Sequence, residues 1–416
     1  MNAPVFDLGE RHKTFPKSVQ PGIPKLGALK AGWKRVKIGE LFRVVNRPCK
    51  LSDANSYRLV TVKRSRGGIE PRGDLLGAEI AVKSQFFIEE DDFLISKRQI
   101  VHGACAIVPA EFSGSIVSNE YAVLRCKPLL DLGFLRQLIH STYFQETCFH
   151  SSLGVHVEKM IFSTPDWFKW KIDIPEIEEQ REIAGFLGAV DERIKLMQRR
   201  RDALARYKAG LMQRLFDQSL RFTRDDGTAF PDWEEKRLGE IATIVGGGTP
   251  ETAEDSYWGG DIPWFTPTEI KSKYLQSSAR MLTSDGLKSS SAKLLPIGTL
   301  LLSTRANVGD VGIARQECTT NQGFQSLIMK GKHFNEFWYQ WILHNKKKFV
   351  RWAAGSTFLE INKTEVGKIK AETPHPEEQR KIADALSALD DKIAAVSDQV
   401  KHMQTFKKGL LQQMFV

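Results

Sequence analysis

Two similar stretches decide the organisation of this chain: EEQREIAGFLGAVDERI at residues 178–194 and EEQRKIADALSALDDKI at residues 377–393. The similarity resumes without gaps in KAGLMQRLF from Lys208 and KKGLLQQMF from Lys407. Long segments that recur at a fixed offset are the signature of an internal repeat. The sequence therefore predicts a tandem duplication.

A second repeated pair lies near the start of each half. GWKRVKIGELFRVV begins at Gly32 and DWEEKRLGEIATIV begins at Asp232. Each repeat then comprises a tryptophan-containing lead-in, a divergent globular part and a long helix. We expect an N-terminal arm at 1–32, a first globular domain at 33–174, a central helix at 175–220, a second globular domain at 221–373 and a C-terminal helix at 374–416.

The divergent parts share only a faint pattern. FLISKRQIVHGACAIV from Phe93 resembles LLLSTRANVGDVGIAR from Leu300, and both have the form of a strand, a polar turn and a second strand. Other short β-rich runs are separated by Gly, Pro, Ser and Asn, and a helical run follows in each half. We predict two α+β domains.

The repeated helices show a coiled-coil pattern. Apolar residues recur in alternating steps of four and three, which is the 3.5-residue period of a coiled-coil seam. Lys208 and Lys407 interrupt the seam at the same place in both copies, and a polar seam residue can fix the register of a coiled coil. The predicted seam residues are Ile183, Leu187, Val190, Ile194, Met197, Leu204, Leu211, Leu215, Ile382, Leu386, Leu389, Ile393, Val396, Val400, Met403, Leu410 and Met414.

Two matched seams favour pairing of the helices with each other, although each helix packing only on its own domain is the alternative. The first helix leads into the second domain, and the second helix ends the chain. We therefore predict an antiparallel pair related by an approximate two-fold, with Val416 near the N-terminal domain. Its length is roughly 50 Å at about 1.5 Å per residue. The fold class is thus α+β, with two globular domains separated by an antiparallel coiled coil.

Composition narrows the function. The net charge is +10, which favours a polyanionic partner. No apolar run is long enough for a membrane span, and the N-terminus lacks an apolar signal sequence, so we expect a cytoplasmic protein. The five cysteines form no CxxC pair, and Cys148, His150 and His156 lack a fourth ligand, so neither disulfides nor a metal site is expected.

The chain resembles the specificity subunit of a type I restriction–modification system. The resemblance covers nearly the whole chain after residue 30. It depends on the two EEQR helices, the lead-ins around Trp33 and Trp233, and the motif GGGTPET…YWGGDIPWFTPTEI of the second domain. The first domain lacks GGGTP, and its YRLVTVKRSRGGI corresponds only loosely to IPWFTPTEI.

The resemblance implies a subunit without catalytic activity, in which each domain reads one half of a bipartite double-stranded DNA target. It also implies that the paired helices dock methyltransferase subunits, usually two, and that a motor-nuclease subunit completes the restriction complex. No cofactor is expected in this chain, because S-adenosylmethionine belongs to the methyltransferase. The rival hypothesis is a coiled-coil scaffolding protein whose basic charge is incidental.

DNA reading requires polar and basic side chains on loops. Arg98 and Arg305 fall at matching places after a strand and are the preferred candidates. The basic runs 199–201 and 346–348 are solvated faces or line a DNA channel. The full set of predicted DNA-contacting residues is Lys63, Arg64, Arg66, Lys97, Arg98, Thr266, Thr268, Lys271, Ser303, Thr304, Arg305 and Asn307.

Three possible signs of catalysis or nucleotide binding do not hold. Gly246–Gly248 lacks the spacing of a Walker loop and is interpreted as a tight turn after a strand. Asp232 and Glu234 are too close along the chain to converge on a metal from two strands. No Asn-Pro-Pro-aromatic methylation motif is present. The chemistry is therefore expected in partner subunits.

Overall fold

The computed structural model describes residues 24–154, 156–353 and 360–415. The chain divides into two compact units. Unit 1 comprises Met1–Met197 with Asp398–Val416, and unit 2 comprises Gln198–Ser397. Residues 1–23 of the predicted arm, and Val416, lie outside the described residues.

Unit 1 contains thirteen strands among its described residues. A four-stranded antiparallel sheet has the order β2-β10-β7-β8, and a five-stranded mixed sheet has the order β3-β6-β9-β4-β5. Two antiparallel pairs, β1-β13 and β11-β12, complete the β structure. The strands are β1 Lys34–Lys37, β2 Phe42–Val44, β3 Pro48–Cys49, β4 Ser56–Val62, β5 Ile69–Leu76, β6 Gln85–Phe87, β7 Phe93–Ser96, β8 Cys105–Ile107, β9 Ile116–Ser118, β10 Tyr121–Cys126, β11 Ser152–Leu153, β12 Ile161–Phe162 and β13 Lys171–Ile174.

The helices of unit 1 cover one face of the four-stranded sheet. Phe93 and Leu124 of that sheet share a buried core with Phe134 and Trp167. Asp131 and Ser141 cap the starts of the second and third helices through their side-chain oxygens, as N-cap residues commonly do. The helices are α1 Ile38–Leu41, α2 Leu132–Leu138, α3 Thr142–His150, α4 Thr164–Trp167 and α5 Ile177–Phe216, the last of which continues into unit 2.

Unit 2 repeats this arrangement with different details. Its sheets have the orders β15-β22-β19-β20-β17 and β18-β16-β21, and β14 pairs with β23. Its strands are β14 Glu234–Arg237, β15 Ala242–Gly246, β16 Trp258–Phe265, β17 Tyr274–Leu275, β18 Arg280–Leu282, β19 Leu300–Leu302, β20 Val311–Ala314, β21 Thr319–Thr320, β22 Gln325–Met329 and β23 Lys370–Thr373. Its helices are α6 Leu238–Ile241, α7 Ser284–Lys288, α8 Asn335–His344, α9 Lys346–Ala353, α10 Lys363–Lys368 and α11 Pro376–Met414, which begins in unit 2 and ends in unit 1.

Strand pairing shows which segments of the two domains correspond. β4 pairs in parallel with β9 through Leu59 and Ile116, and β16 pairs in parallel with β21 through Trp264 and Thr319. A single 3-10 turn follows β4 and β16 in the two domains. The YRLVTVKR segment of the first domain therefore occupies the place of IPWFTPTE in the second.

The two long helices pack antiparallel. In unit 1, Val190 and Ile194 of α5 pack against Val400 near the far end of α11. In unit 2, Leu215 at the end of α5 shares a core with Ile382 near the start of α11. The predicted fold class is thus confirmed. Every predicted seam residue is buried or half-buried: Ile183, Leu187, Val190, Ile194, Met197, Leu204, Leu211, Leu215, Ile382, Leu386, Leu389, Ile393, Val396, Val400, Met403, Leu410 and Met414.

The two predicted roles of the seam are not exclusive. Ile183 and Leu187 also belong to the core of the first domain, where Phe415 packs edge-on against Phe134 at 5.3 Å. Phe415, which follows the end of α11, is only 7% exposed and belongs to this core. Each long helix therefore packs on a globular domain as well as on the other helix.

The polar seam residues form the same network in both units. Lys407 Nζ lies 2.7 Å from both carboxylate oxygens of Asp191, and Gln137 Nε2 donates to that carboxylate at 3.1 Å. In unit 2, Lys208 donates to Asp390 at 2.6 Å and Gln340 donates to it at 2.8 Å. Each lysine thus links the two helices, and each glutamine links the carboxylate to the domain. The same arrangement of one lysine, one carboxylate and one amide is therefore present in both units.

Candidate nucleic-acid interface

Two loops of unit 1 carry the predicted DNA-contacting residues, and the fold brings them together. The first loop follows β4 and the second follows β7. Arg64 Nε donates to Gln99 Oε1 at 2.8 Å, and the Arg66 backbone N–H donates to the Gly103 carbonyl at 2.8 Å. Ser65 has a positive φ of 55°, a conformation that turns the chain sharply inside the first loop. The two loops therefore form one continuous surface.

The cations of this surface are held by nearby acceptors. Lys63 pairs with Glu70 at 2.8 Å, and Arg98 pairs with Glu120 at 2.6 Å. Lys97 Nζ donates to the Asn119 carbonyl at 2.8 Å. Exposed ion pairs of this kind contribute only about 0–1 kcal/mol, so their cations can exchange partners at little cost.

Arg66 does not belong to the exposed set. Its guanidinium is half-buried and donates to the Ile139 carbonyl and, at 2.8 Å, to Gln145 Oε1. Gln145 is fully buried and also donates to the Ile100 carbonyl. The predicted DNA contact by Arg66 has no support in this arrangement, because the side chain is used to join the first loop to α3.

The first of two corresponding loops in unit 2 follows β16. Thr266 caps its 3-10 turn, and its hydroxyl donates to Glu269 at 2.8 Å. The Thr268 hydroxyl is exposed, 3.1 Å from that of Thr266. The Lys271 side chain is exposed and has no hydrogen-bond or ion-pair partner in the part of the chain that the structure describes. This loop presents two hydroxyls and one cation.

The second loop follows β19. Arg305 is exposed and pairs with Glu360 at 2.8 Å, and Asn307 is exposed beside it. Ser303 and Thr304 are 0% exposed, and the Ser303 hydroxyl donates to the Arg305 carbonyl at 2.8 Å. The structure does not place Ser303 or Thr304 at the surface, so the predicted DNA contact by these two side chains is not supported.

A short turn bonds to the second loop in each unit. The Lys97 N–H donates to the Glu120 carbonyl at 2.8 Å, and the Thr304 N–H donates to the Gly323 carbonyl at 2.8 Å. These bonds show that Lys97 and Thr304, and hence Arg98 and Arg305, occupy equivalent positions. The predicted correspondence of the two arginines agrees with this geometry.

The sequence-based prediction missed the side chains of that turn. Asn119 and Glu120 are exposed in unit 1, and Gln322 is exposed in unit 2, where its Oε1 accepts from the Thr249 hydroxyl at 2.5 Å. The signal was present as SNEY in one repeat and TNQGF in the other, but the two segments resemble each other only once the strands that flank them are aligned.

The glycine run before Thr249 has a different role from the predicted turn. Gly246 lies in β15, and neither Gly247 nor Gly248 has a positive φ. A Cβ at Gly247 would lie 1.9 Å from the Asn321 carbonyl oxygen, and one at Gly248 would lie 2.4 Å from the Ala292 nitrogen. Gly247 therefore allows close backbone approach to the turn that carries Gln322, and Gly248 allows close approach to the segment at Ser291 and Ala292.

One lysine next to these loops, Lys273, forms bonds within the domain. Burial lowers the pKa of Lys273, but its hydrogen bond and ion pair with Glu336 outweigh burial and raise the pKa above its ordinary value. The same ammonium donates to Ser387 of α11 at 2.8 Å. Lys273 therefore fixes the loop after β16 to the long helix within unit 2.

The described residues offer no metal site. No group of three or more His, Cys, Asp or Glu side chains within those residues is arranged to hold an ion. No described helix is both long and apolar enough to cross a membrane.

Comparison with known proteins identifies the family. The model of the type I restriction modification DNA specificity domain matches residues 30–206 and again residues 231–401. The MjaIX specificity subunit of Methanocaldococcus jannaschii is 35% identical over 199 residues, which are 46% of this chain and 46% of that protein. That match spans about half the relative's length. The MjaVIII specificity subunit of the same organism is 24% identical over 411 residues, 91% of each chain.

Solved structures share the fold. The HsdS subunit of Thermoanaerobacter tengcongensis has a TM-score of 0.52 at 21% identity, covering 93% of this chain and 97% of that one. The type I S subunit of M. genitalium has a TM-score of 0.60 at 14% identity, covering 97% of this chain and 99% of that one. The resemblance found in the EEQR helices is confirmed. Both repeats match the family model, and the chain belongs to the type I restriction modification DNA specificity family.

Proposed function

We propose that this chain binds double-stranded DNA and reads a bipartite, asymmetric target, one half per domain. The observation that carries the proposal is the repeated loop pair after β4 and β7 and after β16 and β19, built on one framework with different side chains. The net charge of the whole chain, +10, favours binding to a polyanion such as DNA. Domains with equivalent loops but unlike side chains suit two half-sites of different sequence.

The exposed residues on these loops have chemically distinct roles. Arginine binds guanine O6 and N7 with two hydrogen bonds, or binds a phosphate, and a carboxylate accepts from cytosine N4. Arg98 with Glu120, and Arg305, are therefore assigned to base edges. We assign the remaining exposed residues, together with the half-buried Lys97 and Thr266, to phosphate or base contacts: Lys63, Arg64, Lys97, Thr266, Thr268, Lys271 and Asn307.

Binding then requires an exchange of partners. Arg98 leaves Glu120, and Arg305 leaves Glu360, when each guanidinium meets DNA. Because water reaches both pairs, the exchange costs little. A duplex offers the arginine a denser negative charge than a single carboxylate does.

We further propose that the chain has no catalytic activity and positions two methyltransferase subunits and a restriction motor-nuclease subunit. The relatives are named as specificity subunits of restriction enzymes. S-adenosylmethionine would be held by the methyltransferase. We place the protein in the cytoplasm, together with its DNA.

The test is selection from a random duplex library with the full-length chain and its methyltransferase partner. We expect enrichment of a gapped two-part sequence. Arg98→Gln should change only one half-site and Arg305→Gln only the other. Arg58→Gln is the matched control, because Arg58 is an exposed arginine paired with Asp74 at 3.5 Å near the start of β4.

Three outcomes would contradict the proposal. Enrichment of no sequence would favour the scaffolding hypothesis. Changes in both half-sites from one arginine would show that the domains do not read separate halves. Turnover by the purified chain with S-adenosylmethionine and magnesium would show catalysis of its own.

A further inference from the structure

Helix α9, Lys346–Ala353, is the most cationic short helix of unit 2. Its sequence is KKKFVRWA. Phe349 and Ala353 are buried, so one side of the helix faces the core. Lys347 and Arg351, four residues apart, lie on one face of the helix and are exposed on the side away from those two residues.

The start of α9 adjoins the loop that carries Arg305. Lys346 forms an ion pair with Asp310 in that loop. A Cβ at Gly309 would lie 3.0 Å from Lys346 Cγ and 3.4 Å from Phe349 Cβ, so the loop and the helix are in close contact. The helix therefore extends the surface of the candidate DNA-binding loop.

The outward cations of α9 are not neutralised by the protein. The side chains of Lys347, Lys348 and Arg351 have no hydrogen-bond or ion-pair partner among residues 24–154, 156–353 and 360–415. Like charges spaced by four residues disfavour a helix. The exposed cations of the recognition loops mostly have a partner. An anion from outside the chain would neutralise the cations on this face of α9.

The equivalent helix of unit 1 lacks this charge. Helix α3 follows α2 as α9 follows α8, and its sequence TYFQETCFH contains no Lys or Arg. The framework of the domain therefore does not require a cationic helix here. The charge of α9 is a particular property of the second domain.

We infer that Lys347 and Arg351 of α9 bind phosphates of duplex DNA next to the half-site contacted by the Arg305 loop. This inference rests on the proposed function and assigns it a further surface. The ligand is the phosphodiester backbone, recognised by charge. Such contacts fix the orientation of a protein on the duplex without reading its sequence.

The test measures binding of the full-length chain, with its methyltransferase partner, to two duplexes over a range of salt concentrations. One duplex carries the selected target and the other is scrambled. Each phosphate contact contributes about 0.9 to the slope of log affinity against log salt. We expect Lys347→Gln to reduce the slope by about 1, and Lys347→Gln/Arg351→Gln by about 2, on both duplexes. The ratio of the two affinities should not change.

Lys332→Gln is the matched control. Lys332 is exposed, and its side chain has no partner among the described residues. It follows the C-terminal end of β22, whereas Gly323 precedes the N-terminal end of that strand. The slope of log affinity against log salt for Lys332→Gln should equal that of the unmodified chain. An unchanged slope in the α9 variants, an equal reduction in the control, or a change in the affinity ratio would overturn the inference.

Failure of the inference is distinguishable from failure of the proposed function. A chain that binds both duplexes equally refutes the proposed sequence recognition, yet the salt slopes of its α9 variants still decide whether α9 contacts phosphate. Absence of binding to either duplex refutes both.

Discussion

Replacing Asp191 with alanine should loosen the helix pair of unit 1. Asp191 accepts from Lys407 at 2.7 Å and from Gln137 at 3.1 Å. Its side chain is 32% exposed, and that of Lys407 is 14% exposed. Loss of the carboxylate leaves the Lys407 ammonium largely buried and without a counter-charge.

The magnitude follows from this burial. Breaking a fully buried ion pair costs about 3–5 kcal/mol, and breaking an exposed pair costs about 0–1 kcal/mol. Because water can partly reach Asp191, we expect Asp191→Ala to cost about 2–3 kcal/mol. Asp390→Ala should cost a similar amount in unit 2, since Lys208 and Gln340 contact Asp390 in the same way.

Hydrogen exchange is the suitable assay, because a two-unit chain need not unfold in a single transition. Amides around Asp191 and Lys407 should exchange about 30- to 150-fold faster, given tenfold per 1.4 kcal/mol. The exchange rates of amides in unit 2 should change little. Asp191→Ala/Lys407→Leu should recover most of the loss, because it removes the uncompensated charge.

The matched control lies one residue along α5. Glu192 forms an exposed pair with Lys195 at 2.7 Å, and Glu192→Ala should cost at most about 1 kcal/mol. Equal acceleration in Glu192→Ala and Asp191→Ala would refute the argument that the buried network, and not surface charge, holds the helices in register.

Three further predictions test other features. Inserting one heptad at matched seam positions of α5 and α11 should lengthen the unread spacer of the selected DNA target and leave its half-sites unchanged; altered half-sites would show that the helices do not set the spacing. Gly247→Ala should lower the melting temperature, because its Cβ would lie 1.9 Å from the Asn321 carbonyl oxygen, whereas Gly185→Ala in α5 has open space and should be neutral or stabilising. Burial and the Lys348 charge lower the pKa of His344, so Lys348→Gln should raise that pKa in an NMR titration without restoring its ordinary value. Since the folded pKa is depressed, the contribution of His344 to stability is present above about pH 6.5 and is lost as the pH falls below it.

The sequence predicted the long helices well because their signal is redundant. A 3.5-residue apolar period sustained over two copies cannot be satisfied by a strand or an irregular loop. The identical position of Lys208 and Lys407 also indicated a polar position in the seam. The glutamines that complete each network could not be predicted, because Gln137 and Gln340 come from divergent parts of the chain that align only in three dimensions.

The exposed side chains of the recognition loops were harder to predict, because burial in these loops depends on side-chain length. Thr304 and Lys97 occupy equivalent backbone positions. Lys97 donates its N–H to the turn after β9, and Thr304 donates its N–H to the corresponding turn after β21. A threonine hydroxyl can be satisfied by a nearby carbonyl and stay buried, as Thr304 does with Gly323 at 3.4 Å. A lysine at that position extends its ammonium to the surface instead. Composition of the loop did not distinguish these cases.

Comparison of the two repeats separates framework from recognition. Trp33 donates to Glu179 at 3.0 Å, and Trp233 donates to Glu378 at 3.0 Å. The residues that are the same in both copies make the same internal bonds, so changing them would damage either domain alike. Glu120 and Gly323 differ, and the contact that both units share at this position is a backbone hydrogen bond. Such a division lets the side chains of one loop pair change without loss of the fold, and it is why the two domains can present unlike surfaces on one scaffold.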